Sequence, residues 1–167
     1  MASLIQDLIE NLDNQLALYE DLITLSKNKK ECIIKNDVED LKKITKIEGV
    51  VVSRLSRFDK DCFDIIKDIA TVLNRKQDNL TLSSIADTIS NQPEHPRFIE
   101  QIGQIKTAIK KLAELNEDNK ILIANVLDFI DFNINVMRPV MGADSPVKYP
   151  KSGEEIRESA SFLDING

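Results

Sequence analysis

Proline is absent from residues 1–92 of this 167-residue chain; all five, Pro93, Pro96, Pro139, Pro146 and Pro150, come later. None falls between Arg97 and Arg138, so two long stretches are free of the strongest helix breaker. Histidine occurs once, as His95 in the helix-breaking run "NQPEHPRF". A phosphorelay domain needs its histidine exposed on a helix face, and a di-iron bundle needs Glu-x-x-His pairs. Glycine-rich phosphate loops, Cys/His metal spacings and a Ser or Cys nucleophile with a histidine partner are also missing. The sequence therefore assigns no catalytic, metal-binding or cofactor-binding residue and reads as a non-enzyme.

Long apolar runs are missing too. No stretch of about 18 apolar residues could cross a membrane, and "MASLIQDLIENL" lacks the basic start of a secretory leader. The expected setting is cytoplasmic, with no stable membrane insertion. Net charge is −6 and no basic face is clustered in the sequence, which argues against a nucleic-acid partner. The two cysteines, Cys32 and Cys62, form no CxxC pair. If the chain turns near Asn36, they lie roughly 33 Å apart along the helices, outside disulfide reach. Buried free thiols are expected.

What is present is helical periodicity. Ile5, Leu8, Leu12, Tyr19 and Leu22 mark positions a and d of a first heptad pattern, flanked by Ile9, Leu16 and Ile23. Asn36 and Asp37 are placed to turn and cap, with Asp40 in the next first turn. A second helix then carries Leu41, Ile44, Val51, Leu55, Phe58, Cys62, Ile65, Ile69 and Val72 at a and d. So short a turn makes the two helices antiparallel. Gly49 inside the second helix marks either a close helix approach or plain tolerance. "NRKQDN" ends it, and "TLSSIADTIS" predicts a short helix capped by Thr81. The last long helix is expected from about Arg97 to just before Pro139. The long helices should each run roughly 34 to 41 residues. The fold class is all-α: an elongated antiparallel bundle of three long helices plus one short one over residues 1–138. A flexible tail is expected over residues 139–167.

The last helix is unusually apolar. With Ile102, Ile109, Ile123, Ile130 and Met137 at a, position d holds Ile105, Leu112, Asn119, Val126 and Asn133. Leu115, Leu122, Phe129 and Val136 recur at g, while Leu127 and Ile134 fill e. So wide a face needs two neighbours. Either the first two helices cover it, or part of it, with Phe129, Phe132 and Val136, stays open for another chain's helix. Asn116, Asn119 and Asn133 at a or d would fix register at some cost in stability. The tail carries Tyr149, Ile156, Phe162, Leu163 and Ile165 as spaced apolar docking residues.

Assembled in this order, the chain resembles the flagellar export chaperone FlgN family. The resemblance rests on "LALYEDLITLSKNKKECIIKND", then "VEDLKKITKIEGVVVSRLSRFDKD", "LSSIADTI", "LNEDNKILIANVLDFI", "YPKSGEE" and the terminal "FLDING". That family often has Tyr-Gly ahead of another glycine; here Pro150 follows Tyr149, and Gly153 is kept. The resemblance implies a cytoplasmic chaperone of the flagellar type III export pathway. Its implied partners are hook-associated proteins, which it keeps from polymerising early and delivers to the export apparatus. The client-binding residues expected are Leu122, Phe129, Phe132, Val136, Tyr149, Ile156, Phe162, Leu163 and Ile165. The alternative is a structural coiled-coil protein or self-associating adaptor, its wide face covered in a homodimer.

Overall fold

The computed structural model describes residues 1–77 and 80–141. Among these, four α-helices and no strand occur: α1 (Ala2–Lys35), α2 (Val38–Val72), α3 (Leu82–Thr88) and α4 (His95–Met141). Asn36 ends α1 in the left-handed conformation at φ 57°, which asparagine tolerates better than most residues. Its N–H and that of Asp37 return to the carbonyls of Ile33 and Cys32. Asp37 caps α2 by accepting from the Asp40 N–H at 3.1 Å. The same device closes α2, where Asn74 stands at φ 51° and the N–H of Arg75 reaches the Ala70 carbonyl. Thr81 and Ser84 form a reciprocal capping box that starts α3.

The contacts divide the chain into two units, Met1–Asn119 and Lys120–Gly167. In the first, α2 runs antiparallel to α1: Asn11 donates to the Phe58 carbonyl at 3.0 Å, and Lys29 pairs with Glu48. The α4 portion of that unit runs parallel to α1, since Gln101 donates to the Ile9 carbonyl and Asn119 to that of Ser26. These two contacts are about five turns apart on both helices, so the helices advance together. The core comprises Ile5, Leu8, Ile9, Leu12 and Tyr19 from α1, Leu55 and Ile69 from α2, and Ile85 and Ile89 at α3. Phe98, Ile102, Ile105 and Leu112 of α4 complete it.

Several expectations need correcting. α4 has 47 residues and runs past Pro139 to Met141. A proline in the final turn forfeits only one intrahelical hydrogen bond, and Pro96 sits in the first turn, where its missing N–H costs nothing. Val72, assigned to the seam of α2, is 57% exposed because α2 ends there. The seam of α4 is shifted: Ile105, Ala108, Leu112, Leu115 and Asn119 are buried, at d and g, whereas Ile109 is half-buried and Asn116 exposed at a. A 3.6-residue helix drifts about 20° per heptad against a seven-residue repeat, so fixed labels lose the true stripe. Cys62 is buried, but Cys32 is only half-buried; both are free thiols. Nothing lies within 4 Å of a Cβ built on Gly49, so it marks no helix approach within the bundle.

A candidate protein-binding face on α4

Two places in the described residues hold groups that could do more than fill space. One is a polar cluster between α1 and α2. Asn11 and Gln15 are linked at 2.8 Å and reach the Phe58 carbonyl. Beside them, burial pushes the Tyr19 hydroxyl up to about 12, reinforced by Asp59, whose own carboxyl is raised by burial. Burial, then Asp59, pushes the Cys62 thiol up to about 11, against a hydrogen bond with Gln15 that lowers it. Raising the thiol in this way lowers its thiolate fraction and so its reactivity at neutral pH. His95 opens α4, and no described group of three His, Cys, Asp or Glu residues could hold a metal.

The other place is the stretch of α4 beyond Lys120. Leu122, Ile123, Val126, Leu127, Ile130, Asn133 and Ile134 are half-buried, and none of residues 120–138 is fully buried. Phe129 is 65% exposed, Phe132 64%, Val136 56% and Ile121 51%. At about 100° per residue, Ile121, Asn125, Phe129, Phe132 and Val136 fall within an arc of about 80°. They form one exposed stripe, apolar except for Asn125 at its middle. Ala124, Asp128 and Asn135, all exposed, edge it on one side, and the half-buried residues edge it on the other.

Of the residues expected to bind a client, Phe129, Phe132 and Val136 share this stripe, while Leu122 stands at its half-buried edge. Tyr149, Ile156, Phe162, Leu163 and Ile165 lie outside the described residues. Ile121 was missed, and so was Met137, 58% exposed off the stripe. Heptad labels put Ile121 and Phe132 at f and c, which hides their kinship. Their separation of eleven residues is about three full turns, and that spacing is the signal.

No described helix is long and apolar enough to cross a membrane. Among the described residues, the fold and this exposed stripe, with two phenylalanines at helical spacing, define a class: an α-helical protein with an unusually apolar surface on one helix. The chain belongs to the FlgN family of flagellar export chaperones, whose family model, described as FlgN protein, matches residues 1–155. It is 26% identical over 133 residues to a Bacillus subtilis (strain 168) protein described as "Uncharacterized protein YvyG", covering 79% of each chain. No solved structure matches it.

Proposed function

We propose that this protein is a cytoplasmic chaperone that holds terminal amphipathic helices of hook-associated flagellar proteins on the α4 stripe. It thereby keeps those proteins from polymerising early and delivers them to the flagellar type III export apparatus. The observation that carries this reading is the exposure of Phe129, Phe132 and Val136 on one face. Side chains of this size are costly to leave in water, at about 25 cal/mol per Å2 of apolar surface. A client helix laid along the stripe would cover them, and the ordering cost of that helix keeps the affinity moderate. The tail over 139–167 contributes Tyr149, Ile156, Phe162, Leu163 and Ile165 as further docking residues, tethered to α4 and so at high effective concentration. Client helices compete with it or fold onto it.

Calorimetry with a peptide from the terminal helix of a hook-associated protein tests the reading. Phe132→Asp should weaken binding at least about tenfold while sparing the melting temperature, as expected for an exposed anchor. Removing residues 139–167 should change the affinity and leave the bundle melting as before. Unchanged affinity in both variants would overturn the proposal.

A further inference from the structure

The charges of α1 and α2 are segregated in a way that the bundle itself does not use. Residues 2–26 carry Asp7, Glu10, Asp13, Glu20 and Asp21 and no lysine or arginine. Residues 41–58 carry Lys42, Lys43, Lys46, Arg54 and Arg57 against one carboxylate, Glu48, which is paired with Lys29. The sequence alone showed no obvious basic face; helix geometry makes one. Lys46, Gly49, Ser53 and Arg57 share an arc of about 80° on α2, and all four are exposed. On α1, Glu10, Asn14, Ala17 and Asp21 share an arc of about 60° and are likewise exposed.

The two stripes match in register and oppose in sign. Glu10 and Asp21 stand eleven residues apart, as do Lys46 and Arg57, so each charged pair brackets about three turns. Between the charges lie small residues, Asn14 and Ala17 on one helix, Gly49 and Ser53 on the other. Among the described residues Glu10, Asp21, Lys46 and Arg57 make no ion pair. Gly49 lies in a shallow concavity edged by Lys46, Arg54 and Arg57. A glycine inside a helix is less stable than alanine, and nothing in the fold occupies the space beside this one.

From this we infer that α2 docks α1 of a second copy of the chain, Glu10 and Asp21 of one copy meeting Lys46 and Arg57 of the other. The small residues between let the two helix backbones approach. Exposed ion pairs each contribute little, so the association is weak and salt-dependent, its specificity coming from charge register. The contact is made by α1 and α2 alone.

Sedimentation equilibrium of the full chain and two double variants decides the matter. The wild type should self-associate at about 20 mM salt and weaken about tenfold at about 500 mM, where screening is nearly complete beyond contact. Glu10→Lys with Asp21→Lys should be monomeric, and so should Lys46→Glu with Arg57→Glu. An equimolar mixture of these two variants restores both contacts and should associate again. All four positions are exposed, so circular dichroism should show unchanged helicity and melting. A wild type that stays monomeric at low salt, or a mixture that fails to pair, overturns the inference. Loss of self-association in Phe132→Asp would also overturn it, by moving the contact to α4, whereas the client reading is judged separately by peptide affinity.

Discussion

The bundle up to Asn119 and the stretch of α4 beyond Lys120 use similar residues to opposite effect. In the first, Ile5, Leu8, Ile69, Ile89 and Phe98 are sealed from water. In the second, phenylalanines and a valine stand more than half exposed. α4 has 47 residues, whereas α1 has 34 and α2 has 35. Apolar side chains stabilise the fold where another element covers them, and the exposed ones of α4 are the residues proposed above to bind a client.

Four measurements break or sharpen this contrast. The largest effect is expected from Phe98→Ala, which empties a fully buried site and should cost about 3–5 kcal/mol in denaturant unfolding. Phe132→Ala should change stability by no more than about 0.5 kcal/mol. Comparable losses in the two would mean that the stripe is core. Leu122→Asp sits between them, since a half-buried leucine replaced by a carboxylate should cost on the order of 1–3 kcal/mol. A Leu122→Asp protein as stable as Phe132→Asp would remove the distinction drawn along α4.

Alkaline unfolding probes the other region. Tyr19 and Cys62 have folded pKa values of about 12 and about 11, against ordinary values of 10.0 and 9.0. Both are raised, so the unfolded chain loses these protons first as pH rises. Their contribution is complete only well below pH 9 and drains away as pH climbs toward 12. Tyr19→Phe and Cys62→Ala should each flatten that decline in urea titrations; an identical decline would show that other groups govern it. The last expected effect is a gain. Gly49→Ala meets open space and should stabilise the protein by about 0.5–1 kcal/mol, read from the denaturation midpoint.

The turn at Asn36–Asp37, the Thr81 cap and the residues of α1 that form its core were legible, because capping chemistry and local periodicity act within a few residues. The α4 seam was legible in part: Ile102, Ile105, Leu112 and Asn119 are buried as expected, whereas Ile109 is half-buried and Asn116 exposed, because the stripe depends on which neighbours it meets. The buried polar residues Asn11, Gln15, Ser26 and Gln101 also escaped notice. In the sequence they interrupt an apolar pattern; in the fold they are hydrogen-bonded across helices, as Gln101 is to the Ile9 carbonyl at 3.1 Å. Asn119, expected at a seam position, is buried there, and its amide donates to the Ser26 carbonyl and hydroxyl.

The sequence by itself determined that this chain is helical, that a turn at Asn36–Asp37 separates α1 from α2, and that a short helix follows Thr81. Those properties depend on backbone preference and on residue supply, both of which are local or compositional. Only the tertiary structure decided which apolar residues of α4 are core and which are surface. Ile105 and Phe132 are equally apolar in sequence, and burial belongs to a contact between segments far apart in the chain. The opposed charge stripes of α1 and α2 likewise became visible only once each helix was assigned an inner face, because the solvent side of a helix is defined by what packs on the other.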